Sequence, residues 1–340
     1  MPSSFAASSF RNDRMPDALA RLASHLSVEM ATVDRLILEH VSGKVPLIGQ
    51  VARHLIAAGG KRIRPLLTLA SASLFDDRSG RAHALAACVE FIHTATLLHD
   101  DVVDDSHQRR GKPSANAAFG NPASILVGDF LFSRAFQLMV ADGSLEVLRL
   151  LSDTSATIAQ GEVHQLAVMH DLAADEESYL QVISAKTAAL FAAACEIGAV
   201  IATRSEAERA ALRAYGMALG IAFQIMDDVL DYDSGNTTLG KESGRDFREG
   251  KLTLPTIYAL RSAGTDEQAF WRRTMGDLSQ QEGDLEQACR LIESCGATEQ
   301  ARQKANDYAA AAQKALEGLP ASPLRDLLGE VAAYTVTRQH

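Results

Sequence analysis

Apolar residues recur at intervals of three and four along almost the whole chain. Leu19, Leu22, Leu26, Met30, Val33 and Ile37 do so near one end; Leu212, Tyr215, Leu219, Phe223, Met226 and Leu230 do so further on. This spacing gathers apolar side chains into one stripe of an α-helix but scatters them over both faces of a strand. No β-alternating segment of comparable length competes, so the pattern predicts an all-α protein, a large helical bundle. Helices are expected from about Ala18, over 123–141 and over 205–233. No low-complexity linker divides the 340 residues, which predicts one domain over 18–340 with peripheral helices after about residue 265. Residues 1–17, MPSSFAASSFRNDRMPD, are Ser-rich and lack an apolar run, and are expected to form a disordered leader.

The breaks between helices carry the charge. AAGGKRIRP (57–65), SHQRRGKPSANAAFGNP (106–122) and DSGNTTLGKESGRDFREGK (233–251) each combine Gly or Pro with basic residues. Against them stand two acidic helix ends. LLHDDVVDD at 97–105 places four aspartates after an apolar run with no cation among them, and DDVVD at 100–104 returns as DDVLD at 227–231. Like charges one turn apart repel, and carboxylates beside Leu97, Leu98, Val102 and Val103 lose hydration. Left alone, the arrangement costs stability, so a cation is expected there.

On a helix, aspartates at i, i+1 and i+4 put the first and third on one face, with the second beside them. Asp100, Asp101 and Asp104 form one such cluster; Asp227, Asp228 and Asp231 form the other. Oxygen-only donors without His or Cys suit a hard ion such as Mg²⁺, which uses one or two carboxylates plus substrate phosphate oxygens and keeps several waters. Two facing clusters therefore suit a diphosphate held through metal ions. The basic loops suit a second diphosphate held by cations: Lys61, Arg62 and Arg64 follow Gly59-Gly60, and Arg109-Arg110 precede Gly111-Lys112. Gln224 shares a helix face with Asp227 and Asp231, and His93 shares one with Asp100. On pattern alone His93 reads as a core histidine, and Lys186, in ISAKTAALFAAA, as a snorkelling lysine.

The remaining features exclude other classes. A formal charge of −10, from 33 basic and 43 acidic residues, argues against a nucleic-acid partner. Four cysteines, Cys88, Cys195, Cys289 and Cys295, show neither zinc spacing nor disulfide density, which points to a reducing cytoplasm. No window approaches the ~20 consecutive apolar residues of a membrane span, so no integral membrane segment is expected. There is no phosphate-binding glycine loop and no G-x-S-x-G nucleophile motif, so covalent catalysis has no candidate.

The order GGKRIRP, FIHTATLLHDDVVDD, RRGKPSANAAFGN, VGDFLFSRAFQLM, AKTAALF, FQIMDDVLDY and GKESGRDFREGKLTLP resembles that of the trans (E-type) polyprenyl diphosphate synthases over about residues 18–338. The match is nearest to the bacterial long-chain, octaprenyl-type members. The resemblance implies an all-helical bundle of the isoprenoid synthase type with a central active-site cavity. It implies condensation of isopentenyl diphosphate with an allylic diphosphate (farnesyl or similar), for quinone side chains, by a cytoplasmic homodimer. It also implies several Mg²⁺ ions, three with substrate bound, held by Asp100, Asp101, Asp104, Asp227, Asp228 and Asp231. By the same resemblance Lys61, Arg64, His93 and Arg110 match the isopentenyl diphosphate site. Arg109, Lys186, Thr187, Gln224, Lys241 and Lys251 match contacts to the allylic diphosphate, and Lys186 joins the catalytic set. The readings of His93 and Lys186 are thereby reversed.

The growing tail is expected to descend along the helix below Asp100, where a turn rises about 5.4 Å. Ala95 and Thr96 are the first residues able to block it, and both are small. The floor is then expected deeper, on the 123–141 helix, at Phe132, Phe136 or Met139, which predicts a product well beyond farnesyl length. The alternatives are a short-chain farnesyl or geranylgeranyl diphosphate synthase, a terpene cyclase, and a regulatory subunit of a heteromeric synthase.

Overall fold

Asp17 accepts a hydrogen bond from the Ala20 backbone N–H at 2.7 Å and so caps the first helix. The first helix therefore starts at Ala18, as the periodicity predicts, with the last residue of the expected leader as its cap. A computed structural model describes residues 17–42, 45–57, 60–109, 111–233 and 244–338; residues 1–16 of that leader lie outside the described residues.

Five helices lead to the first acidic motif: α1 (Ala18–His25), α2 (Ser27–Val41), α3 (Pro46–Ala57), α4 (Ile63–Ser73) and α5 (Arg81–Val103). A hairpin of two-residue strands, β1 (Gln108–Arg109) antiparallel to β2 (Lys112–Pro113), folds the basic loop back beneath α5. The middle of the chain forms α6 (Ala115–Phe119), α7 (Asn121–Asp142), α8 (Leu145–Val168), α9 (Glu176–Ile183), α10 (Ala189–Ile201) and α11 (Glu206–Asp231). The last part forms α12 (Arg245–Arg248), α13 (Leu254–Ser262), α14 (Thr265–Trp271), α15 (Asp284–Ser294), α16 (Ala297–Ala315) and α17 (Pro323–Thr337). The helices expected over 123–141 and 205–233 are α7 and α11. The start of α11 is written in Ser205 and Glu208, each of which binds the other's backbone N–H as a capping box.

Every residue of α10 is buried, which makes it the central rod of the bundle, packed on α4, α5, α8 and α11. Glycines let its neighbours approach. A Cβ on Gly198 would lie 2.4 Å from the Ala72 backbone nitrogen, and one on Gly216 would lie 2.4 Å from the Phe191 carbonyl oxygen. Helix α16 buries Ala297, Ala301, Ala305, Ala309 and Ala312, and packs closely along α11. The polar C-terminal stretch is thus less peripheral than expected, because alanine on one face hides the apolar stripe behind a polar composition.

Two stretches are long and apolar enough by composition to cross a bilayer, Asn121–Asp142 and Glu176–Ile201. The second is 78% buried inside the bundle. The sequence expectation of no such stretch is corrected to that extent: both are bundle helices, α7 packing along α5 and the other enclosing α10.

Candidate active site

The first aspartate motif ends α5. Asp100 and Asp104 keep partly open side chains, 16% and 15% exposed, one turn apart on the same face. Asp101 has none exposed: Arg109 grips it, with Nη2 at 2.6 Å and Nε at 3.0 Å from Oδ1, while Asn116 Nδ2 donates to its backbone carbonyl at 2.9 Å. The expected ligand Asp101 and the expected phosphate contact Arg109 are therefore paired with each other, and this ion pair ties the hairpin to the helix end. Removing one partner of a buried pair leaves a bare charge, so Arg109→Ala is expected to cost about 3 kcal/mol in urea unfolding. A loss below about 1 kcal/mol, the value of an exposed pair, would show the contact to be incidental.

The second motif ends α11, and there too the three aspartates differ. Asp228 is buried and fully engaged: Tyr179 Oη donates to Oδ2 at 2.6 Å and Gln224 Nε2 to Oδ1 at 2.8 Å. Thr187 Oγ1 donates to Gln224 Oε1 at 3.0 Å, which orients the amide. Asp231 Oδ2 accepts the Asp246 backbone N–H at 2.8 Å, folding the basic loop onto the helix. Asp227, 46% exposed, pairs with Arg338 at 2.7 Å.

Lys186 and Thr187 lie in a π-helical segment, Ser184–Ala188, between α9 and α10. The extra residue per turn there turns both side chains toward the acidic motifs. Lys186 Nζ sits 2.7 Å from Glu162 Oε2 and 3.6 Å from Asp100 Oδ2. Lys251 Nζ lies 3.3 Å from Glu249 and 3.9 Å from Asp104. On the other side Arg64 stacks on the Phe191 ring at 4.5 Å, and burial pulls its guanidinium down to about 10. Lys61 and Arg338 line one small cavity with Phe191 and Phe223. Arg110 and Lys241 lie outside the described residues.

Among the described residues no three metal-binding side chains converge closely enough to cage an ion unaided. Paired, partly open carboxylates at Asp100 and Asp104 fit a hard cation that takes its other ligands from water and phosphate. The electrostatics agree. Burial pushes Asp228 up to about 7 against the hydrogen bonds from Tyr179 and Gln224, and pushes Glu162 up to about 7, Lys186 opposing the rise and Asp100 adding to it.

A carboxyl raised in the folded state holds a proton that the unfolded chain has already released. Below the unfolded values, 3.8 for Asp and 4.5 for Glu, both states are protonated; between those and about 7 the ionisation favours unfolding. The metal-free protein is thus expected to lose stability as pH rises from about 4 to about 7. A urea midpoint no lower at pH 7.5 than at pH 5 would contradict this burial.

Ala95 is fully buried on the α5 face packed against α7, and Thr96, half-buried, donates to the His93 carbonyl at 2.8 Å. Phe132 stacks with His99, ring centroids 6.2 Å apart, and Met139 is buried. Phe136 is 43% exposed and belongs to the outer face of α7 with Val140. Ala135, Leu138 and Met139 take the inward positions of that turn, so Phe136, expected as a possible floor, is on the outward side of α7.

Glu162, Tyr179, Asp246 and Arg338 were not selected from sequence. Tyr179 could have been, being seven residues before Lys186, and Asp246 lies inside the GRDFREGK stretch. Glu162 and Arg338 reach their partners across 24 and 111 residues and leave no local signal.

The octaprenyl diphosphate synthase of Escherichia coli is 46% identical over 311 residues, 91% of this chain and 96% of that protein. Crystal structures of a decaprenyl diphosphate synthase from Rhodobacter capsulatus and a polyprenyl synthase from Caulobacter crescentus, the latter complexed with calcium and isoprenyl diphosphate, superpose with TM-scores of 0.91 and 0.92. Their identities are 50% and 49%, covering 95% and 96% of this chain and 99% and 100% of theirs. The profile of one family, polyprenyl synthetase, matches residues 45–292. Kinship over nearly the whole chain agrees with a bundle that ends two helices in opposed aspartate motifs, and the chain belongs to the polyprenyl synthetase family.

Proposed function

We propose that this protein condenses isopentenyl diphosphate with an allylic diphosphate, head to tail and in successive trans steps, to give a long-chain polyprenyl diphosphate, octaprenyl in length. The observation that carries this reading is the doubled aspartate motif with separate sets of cations, one at Lys186 and Lys251 and one around Arg64 and Lys61. A terpene cyclase needs only one diphosphate site. A regulatory subunit should lack site residues, and here every position of the family's motifs is filled.

Asp100 and Asp104 from one side, with Asp227 and Asp231 from the other, would hold Mg²⁺, three ions with substrate bound. Asp101 and Asp228 orient their motifs, since their oxygens are already engaged. Bound there, Mg²⁺ supplies Lewis-acid neutralisation of the charge on the departing diphosphate. Lys186, Lys251 and Thr187 bind and orient that diphosphate, with Lys241 added from outside the described residues. Lys61, Arg64, His93 and Arg110 hold isopentenyl diphosphate so that its double bond faces the allylic carbon. The allylic C–O bond breaks, a C–C bond forms, and the proton lost from the isopentenyl unit passes to the released pyrophosphate. No protein nucleophile takes part.

The small side chain of Ala95 supports passage of the tail at this turn of α5, with Phe132 and Met139 toward its end. Exposed Leu126, Phe136 and Val140 on α7, with Val163 and Leu166 on α8, support a homodimer through this face. The two apolar clusters of the bundle both pack against Tyr308, which supports reading residues 18–340 as one domain. Four free cysteines suit the cytoplasm, and quinone side chains are a natural destination for the product.

Purified protein given isopentenyl diphosphate, farnesyl diphosphate and Mg²⁺ is expected to yield a ladder of products ending near the octaprenyl length by mass spectrometry, and nothing with EDTA. Products that stop at farnesyl or geranylgeranyl length would leave a short-chain synthase; no product from any allylic primer would sink the enzymatic reading.

A further inference from the structure

Lys186 has to reach a diphosphate, yet the metal-motif carboxylate Asp100 lies only 3.6 Å from its ammonium. A close Lys186–Asp100 pair would take up the oxygen that a divalent ion needs. The structure draws the ammonium elsewhere, onto Glu162 Oε2 at 2.7 Å. Glu162 is placed there by helix packing. A Cβ on the preceding Gly161 would stand 2.8 Å from Ala185 Cβ and 2.9 Å from the Lys186 backbone nitrogen, so α8 closes directly on the π-helical segment. Glu162 Oε1 is buried with no hydrogen-bond partner among the described residues, and the carboxyl of Asp100 lies beside the group, so Glu162 faces both the ammonium and the aspartate motif. A further anion beside a diphosphate site repels its ligand, and that cost calls for a compensating role.

We infer that Glu162 is a positioning residue that holds Lys186 off Asp100, so that the lysine faces the allylic diphosphate while Asp100 stays open to the divalent ion. An ammonium has three donors. One remains on Glu162, and two are left for phosphate oxygens. The inference rests on the proposed role of Lys186 as a diphosphate ligand.

The test uses the full chain, Mn²⁺ in place of Mg²⁺ and inorganic pyrophosphate in place of substrate, with free Mn²⁺ read by electron paramagnetic resonance. In E162A the lysine moves onto Asp100 and Mn²⁺ binding weakens about tenfold, the scale of one charge-assisted hydrogen bond. E162Q keeps an acceptor and stays within about twofold of the wild type. In a K186A background, E162A has no further effect, since nothing is left to hold back. Unchanged binding in E162A overturns the inference. So does a tenfold loss that persists without Lys186, which would make Glu162 a ligand of the ion itself. E162D, one methylene shorter, carries the same expectation as E162A should the latter not fold. A wild-type chain that makes no polyprenyl product would defeat the functional proposal while leaving this binding cycle readable.

Discussion

Asp100→Asn lowers kcat/KM for chain elongation about a thousandfold while leaving the thermal transition nearly in place. The amide keeps the size of the carboxylate and removes only its charge. Asp100 is partly open and has no bidentate partner, so folding does not depend on it as it depends on Asp101. On the proposed mechanism, what is lost is the carboxylate that would anchor the ion neutralising the leaving diphosphate. Several kcal/mol of charge stabilisation, at about 1.4 kcal/mol per decade of rate, amount to roughly three decades. Extra Mg²⁺ recovers little of this, because the defect lies in the ligand set. A loss smaller than tenfold would remove Asp100 from that set. Asp228→Asn is expected to behave differently, losing stability as well as activity, because Tyr179 and Gln224 each donate to one of its two oxygens and an amide offers only one acceptor.

Ala95→Phe shortens the product to about three or four isoprene units, because the new ring stands five residues, roughly 7.5 Å of helix rise, below Asp100. Ala95 has no exposed surface. It lies seven residues beyond Cys88, whose thiol donates to the Ala135 carbonyl of α7, and so shares the face that meets α7. A phenyl ring there blocks the path proposed for the tail. Overpacking of this kind costs about 1–3 kcal/mol, so the melting transition is measured beside the product ladder. A folded variant that still makes full-length product would eliminate the path past Ala95.

The sequence determined the helices, the two acidic motifs and the basic loops. Periodicity of three and four is a property of neighbours along the chain, and so is the i, i+1, i+4 grouping of Asp100, Asp101 and Asp104. It also reached Lys186 and His93, though only through family resemblance, since an isolated lysine in an apolar run has no local mark of function. Tertiary packing decided how the members of each motif divide their work. Asp101 turns to Arg109 because the hairpin folds back beneath α5, and Asp228 to Tyr179 because α9 crosses α11. It placed Glu162 beside Lys186 and Arg338 beside Asp227, contacts that no spacing encodes. It turned Phe136 outward, since one residue of helix phase moves a side chain by 100°. Local pattern specifies which residue types share a face; only the packing of helices distant in sequence selects which oxygen is left free for an ion.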